Sequence, residues 1–124
     1  MARVVRVLGS LTAIVLASVA LSSCGTNGAV ADARASCVLV KRAIALQTQS
    51  EAPDLTTTQR ASIEGRAMSE LLKATPKAAD ATSIDGSWNA LMTTINESER
   101  VPLKNLVPSL TRLCQVADSS SPYL

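Results

Sequence analysis

Histidine and phenylalanine are absent from the 124 residues, and tryptophan and tyrosine occur once each. Without histidine the chain lacks the commonest general base and the commonest zinc ligand. With so few aromatic rings it also lacks platforms for stacking bases. Residues 24–124 carry ten basic and ten acidic residues, so the net charge of +2 comes from Arg3 and Arg6. We therefore expect no nucleic-acid binding, no metal and no cofactor.

Motifs of the common enzyme classes are also missing. Serine and cysteine triads need histidine. The chain has no S-x-x-K motif, no glycine-rich phosphate loop and no EF-hand loop. Glu97 and Glu99 lie at an expected helix boundary, where carboxylates favour the helix N-terminus. The sequence therefore predicts a protein that is not an enzyme.

The first 23 residues have the features of a secretion signal. Arg3 and Arg6 precede an uncharged segment over residues 7–21, VLGSLTAIVLASVAL. Its length fits the hydrophobic region of a signal peptide and falls short of the roughly 20 apolar residues that span a bilayer. We predict a signal peptide over residues 1–23.

The end of this segment resembles the lipobox of bacterial lipoprotein precursors. Leu21-Ser22-Ser23-Cys24 has the large aliphatic residue, the two small residues and the cysteine of that pattern. The resemblance implies a diacylglyceryl group on the Cys24 thiol and cleavage before Cys24. It thus implies a lipid-anchored protein on the extracytoplasmic face of the cell membrane.

Two other interpretations of the leader stay open. Ser18-Val19-Ala20 offers small residues to an ordinary signal peptidase cutting after Ala20, which would give a secreted protein. An uncleaved leader helix is the other interpretation, and the short apolar segment argues against it.

The three cysteines leave one thiol over in any disulfide scheme. Lipidation of Cys24 accounts for the odd thiol and leaves Cys37 and Cys114 as a pair. Outside the cytoplasm such a pair tends to be oxidised, so we predict a structural Cys37–Cys114 disulfide. The alternative of redox or metal-ligating thiols has neither a CxxC motif nor a histidine to support it.

Apolar residues after the leader recur at helical rather than alternating spacing. We expect a flexible tether over residues 24–31, a helical domain over 32–118 and a frayed tail over 119–124. The helices are expected over residues 32–49, from 54–56 to about 74, over 75–96, and from 99–102 to about 117.

Local signals define the helix ends and faces. Thr56 and Gln59 have capping-box spacing, with Asp54 as a competing cap. At i,i+4 spacing, Arg60 with Glu64 and Arg66 with Glu70 are expected to pair on the exposed face of the second helix.

Two positions threaten the continuity of the later helices. Asp85, followed by Gly86, could cap a fresh helix inside the third segment. Pro108 removes a backbone donor inside the fourth, which predicts a kink or a split.

Four amphipathic helices with short connections predict an all-α fold, a small antiparallel bundle. In that topology the start of the first helix and the end of the last lie at the same end of the bundle. Cys37 and Cys114 are then within reach of each other.

Two classes of function fit such a bundle. The favoured one is a non-enzymatic module that presents helical faces to a protein partner. An exposed apolar patch formed by Val38, Val101 and Val107 would support it.

The alternative is a carrier of a small apolar ligand held between helices. Its candidate lining residues are Trp88, Met68 and Met92, although core packing explains all three. A short, alanine-rich chain packs closely and leaves little room for a cavity, which favours the interaction module.

Overall fold

The computed structural model describes residues 26–119, and this part of the chain is an all-helical bundle without strands. The predicted signal peptide, Cys24 and residues 120–124 lie outside the described residues. Residues 26–119 form five α-helices and one short 3-10 turn. They are α1 Thr26–Ser50, α2 Thr57–Lys73, α3 Thr75–Ile84, the 3-10 turn Gly86–Trp88, α4 Asn89–Glu97 and α5 Leu103–Ser119. Among these, no helix combines the length and the apolar character needed to cross a membrane.

Helix α1 is the centre of the bundle and packs against α2, α3 and α5. The residues of its buried face are spaced alternately four and three positions apart, and most of them have small side chains. These are Ala29, Ala33, Ser36, Val40, Ala43, Gln47 and Ser50. Because small side chains let helix axes approach closely, one helix can contact three neighbours along this face.

The start of α1 differs from the prediction. Residues 26–31 are helical, so the expected helix start at Asp32 is wrong and the tether does not extend over these residues. Ala29 and Val30 are buried, and they continue the apolar stripe by another turn. This burial offsets the flexibility expected of a small, polar segment. Asp32 contacts Lys77 of α3 through its carboxylate instead of capping the helix.

Helix α2 begins with the predicted capping box. The Thr56 hydroxyl accepts a hydrogen bond of 3.1 Å from the Gln59 amide. The Gln59 side chain in turn accepts one of 2.9 Å from the Thr56 amide. These two bonds satisfy amides that have no partner within the helix, so the helix start is fixed locally.

The predicted third helix is divided into α3 and α4. Asp85 is extended, and its carboxylate accepts a hydrogen bond of 3.0 Å from the Ser87 amide at the start of the 3-10 turn. This backbone bond holds the pKa of the Asp85 carboxyl below its ordinary value. The chain therefore does not form one continuous third helix, and Asp85 caps a new helical segment instead.

Helix α5 runs through Pro108 as one helix, so of the predicted kink or split, the split is absent. Pro108 lies in the second turn, where its missing amide leaves only the Lys104 carbonyl without its helical partner. The buried residues Leu110, Cys114 and Ala117 follow and hold the rest of the helix on the core.

The predicted disulfide between Cys37 and Cys114 is confirmed. It joins α1 to α5 across a Cα–Cα distance of 5.5 Å, and both residues are buried. The first and last helices of the described chain are therefore covalently linked.

Candidate functional site

Residues 26–119 contain no group of three or more carboxylate or thiol side chains placed to hold a metal ion. The Cys37 and Cys114 thiols are used in the disulfide. Candidate sites must therefore be sought among grooves and exposed side chains.

None of the four grooves described for residues 26–119 is lined by more than one of the three candidate ligand-lining residues. Trp88 is 7% exposed and belongs to the core, and Met92 is packed against that core from its edge. Met68 lines a surface groove of about 330 Å³ together with Leu103, and neither Trp88 nor Met92 lines that groove. Packing in the core explains the position of Trp88, and packing against the core explains that of Met92.

Exposed apolar side chains occur on several helices of the bundle. Val38 is half exposed, whereas Val101 and Val107 are partly buried. The large hydrophobic side chains with the greatest exposure in the described chain lie on four different helices. They are Val38, Leu72, Ile84 and Val116. Exposed apolar residues are normal on protein surfaces, so exposure alone does not mark a binding patch.

The seam between α1 and α2 contains an open groove of about 530 Å³, which we call the α1–α2 groove. Arg42 and the apolar Leu46 border it on the α1 side. Its lining comprises Arg42, Ala45, Leu46, Arg66, Ser69, Glu70 and Lys73. On α1 the lining residues lie three and four positions after Arg42, and on α2 they lie three, four and seven positions after Arg66, which places each set on one helical face. The groove is thus built by two facing stripes.

The charges in the α1–α2 groove centre on Glu70. Lys73 Nζ donates a hydrogen bond of 2.9 Å to Glu70 Oε1. This bond, together with the positive charges of Lys73, Arg42 and Arg66, holds the pKa of the Glu70 carboxyl below its ordinary value, against the opposing effect of burial. Glu70 is therefore ionised at neutral pH, and the lining carries three positive charges and one negative charge.

Two expected ion pairs of α2 are replaced by other contacts. Glu70 pairs with Lys73 rather than with Arg66. The Arg60 guanidinium donates to the backbone carbonyls of Ser50 and Ala52 rather than to Glu64. Within residues 26–119, neither Arg42 nor Arg66 forms an ion pair. The i,i+4 spacing therefore indicated the charged face of α2 but not the partners of its charged side chains.

Sequence reasoning missed the α1–α2 groove. The spacing of Arg66, Glu70 and Lys73 along α2 was visible, but the position of Arg42 opposite them depends on how α1 and α2 pair.

No protein-family model, no curated protein and no solved structure matches this chain. What bears on function is therefore the leader sequence, the disulfide and the surface of the bundle.

Proposed function

We propose that the protein is a small bacterial lipoprotein, anchored through a lipid on Cys24 to the extracytoplasmic face of the cell membrane. The observation that carries this proposal is Leu21-Ser22-Ser23-Cys24 at the end of an uncharged apolar segment. Residues 1–23 would then be a signal peptide that is removed before Cys24.

The disulfide supports an extracytoplasmic location. Disulfides persist in oxidising compartments and are rare in the cytosol. Because Cys37 and Cys114 are bonded to each other, they account for two of the three cysteines in the sequence, and Cys24 is the third. Lipidation gives that thiol a role.

We further propose that the bundle is antiparallel around α1. Arg34 Nε donates to the Ala117 carbonyl, while Cys37 is bonded to Cys114 three residues earlier on α5. Contacts between α1 and α5 therefore pair increasing residue numbers on α1 with decreasing residue numbers on α5, as in antiparallel helices. A bundle of this kind would bring the C-terminal end of α5 towards the lipid-bearing end of α1.

The role we propose is that of a non-enzymatic protein-interaction module. Every buried polar side-chain atom of the described residues has a hydrogen-bond partner, so the interior of this part of the chain holds no unsatisfied group for a ligand. The core is rich in alanine and closely packed. The alanine-rich core favours recognition at the surface over the alternative of an internal carrier for a small apolar ligand, because small, closely packed side chains leave little room for a cavity.

The anchor is tested by the intact mass of the protein from the membrane fraction, with and without reductant. The full precursor is produced in a bacterium that processes lipoproteins, beside the C24S variant as control. We expect a species comprising residues 24–124 plus a diacylglyceryl group, which gains two hydrogen atoms on reduction. The C24S variant should keep its leader or lack the lipid. A soluble, unlipidated species cut after Ala20 would overturn the proposal and favour a secreted protein.

The interaction role is tested in the same cells with a photo-crosslinking residue. It is placed in turn at Leu72, Val116 and Arg112, which are exposed on two helices. We expect neighbouring crosslinker positions to give a single adduct of the same mass. This adduct should disappear in the C24S background. Absence of any protein adduct at all three positions would contradict an interaction module.

A further inference from the structure

We infer that the α1–α2 groove binds an organic phosphate, with the phosphoryl group between Arg42 and Arg66. This site lies outside the proposed interaction role and does not depend on lipidation of Cys24. The inference rests on the charges of the groove, on its size and on the chemistry of its lining.

The charge argument starts from the two guanidinium groups. Lys73 is bonded to Glu70, which leaves Arg42 and Arg66 without an ion pair in the described chain. Both side chains line the same groove, Arg42 from α1 and Arg66 from α2. A guanidinium offers paired N–H donors that match two phosphate oxygens, and it does so better than a lysine ammonium. Two such groups at one groove suit a phosphoryl dianion.

The size of the α1–α2 groove indicates a ligand larger than a phosphoryl group alone. Ligand sites commonly occupy about 300–1,000 Å³, and the volume of about 530 Å³ falls in this range. Ala45 and Leu46 supply an apolar wall, and the Ser69 hydroxyl supplies a further hydrogen-bonding group. A phosphate ester has an anionic head and an organic portion, which match these two parts of the lining.

Glu70 gives the site a distinctive property. Its carboxylate neutralises Lys73, and it also repels any anion that enters the groove. Replacement of Glu70 by glutamine should therefore tighten anion binding, whereas loss of either arginine should weaken it. A surface without a binding site would show no saturable binding whose strength these substitutions could change.

The phosphate can come from a soluble ester or from the headgroup of an anionic phospholipid. Both present phosphate oxygens to the two arginines. The groove is open to solvent on its outer side, so either source has access. The probes are therefore glycerol 3-phosphate and a phosphatidylglycerol bilayer, which share the glycerol-phosphate unit.

The experiment is an NMR titration of the full ¹⁵N-labelled chain, purified in an uncharged maltoside detergent. Glycerol 3-phosphate is added at constant ionic strength, balanced with sodium chloride. We expect saturable shifts of the Ser69 and Glu70 amide signals. The R42Q/R66Q variant should bind at least about tenfold more weakly, and E70Q about threefold or more tightly. The control R112Q removes an exposed arginine of α5 outside the groove and should bind like the wild type.

A second arm transfers the protein into nanodiscs of phosphatidylcholine with or without phosphatidylglycerol. A groove response to phosphatidylglycerol alone assigns the site to a lipid headgroup, and a saturable response to glycerol 3-phosphate assigns it to a soluble ester. Circular dichroism and Trp88 fluorescence check that each variant is folded. Shifts that never saturate, a loss of binding in R112Q equal to that in R42Q/R66Q, or no response to either probe would overturn the inference.

Discussion

The side-chain hydroxyl of Ser36 donates a buried hydrogen bond of 3.0 Å to the carbonyl oxygen of Ala74. Ser36 lies in the middle of α1, and Ala74 is the single residue between α2 and α3. The same carbonyl accepts the Ala78 amide, which is a bond of the first turn of α3. One small side chain of the central helix therefore holds the junction at which two other helices meet.

Substitution of Ser36 by alanine should destabilise the protein by about 1 kcal/mol, because a buried hydrogen bond is lost while the Ala74 carbonyl keeps one partner. Urea unfolding followed by circular dichroism measures the change. The control S62A lies on the exposed side of α2 and should stay within about 0.5 kcal/mol of the wild type. Equal effects of the two substitutions would show that the Ser36 bond adds nothing.

Arg60 stabilises the end of α1 from a neighbouring helix. Its guanidinium donates to the carbonyls of Ser50 and Ala52, which lie at and just beyond the last residue of α1. R60Q should therefore cost about 1–2 kcal/mol. R60K should cost nearly as much, because a lysine ammonium cannot reproduce the planar fork that reaches two carbonyls.

The comparison for Arg60 is R66Q, which removes an arginine of the same helix without an ion pair. It should leave the urea midpoint almost unchanged. If R60K were as stable as the wild type, the charge near the helix end would suffice and the two hydrogen bonds would not matter.

Much of the fold follows from short-range signals in the sequence. Helical apolar spacing predicts the all-helical class, and the Thr56–Gln59 pair marks the start of α2. The resemblance of residues 21–24 to a lipobox sets Cys24 apart and leaves Cys37 and Cys114 as the predicted pair, and their disulfide is confirmed. These features need only neighbours in sequence or the recognition of a short motif.

Features that depend on packing between helices could not be predicted in this way. α1 extends back to Thr26 because Ala29 and Val30 are buried in the assembled core, and the apolar spacing alone does not show whether this extra turn has a helix to pack against. Arg60 bonds to the end of α1 rather than to Glu64 for the same reason. The α1–α2 groove likewise requires knowledge of which residues of the two helices face each other.

Loss of the disulfide should destabilise the protein strongly. Cys37 and Cys114 are separated by 77 residues, and closing a loop of that length restricts the unfolded chain by about 4 kcal/mol in the chain-entropy account. The C37A/C114A variant should therefore unfold at a much lower urea concentration than the oxidised wild type. Reductant should lower the midpoint of the wild type and leave that of the variant unchanged.

The single variants C37A and C114A complete this test. Each removes the same cross-link, so each should lose about as much stability as the double variant. A double variant that unfolds at the midpoint of the oxidised wild type would mean that helix packing alone holds α1 and α5 together.

The Asp85 cap should make part of the stability depend on pH. The hydrogen bond from the Ser87 amide holds the pKa of the Asp85 carboxyl below its ordinary value of 3.8. A carboxyl with a lower pKa in the folded state than in the unfolded state stabilises the fold when it is ionised. That contribution is fully present well above pH 3.8 and is lost as the pH falls through the folded-state pKa. D85A should therefore be less stable than the wild type at pH 7, and the difference should shrink below about pH 3.8.

The matched control is D85N, whose amide oxygen can still accept the Ser87 hydrogen bond but does not titrate. Urea midpoints of the three proteins are compared between pH 7 and pH 2.5. The stability of the wild type relative to D85N should fall with the pH, because only the wild type loses its charged acceptor. That of D85N relative to D85A should vary little over the same range, because neither has a titrating group at this position. A wild-type advantage over D85A that is constant from pH 7 to pH 2.5 would show that the ionised carboxylate is not what holds the 3-10 turn.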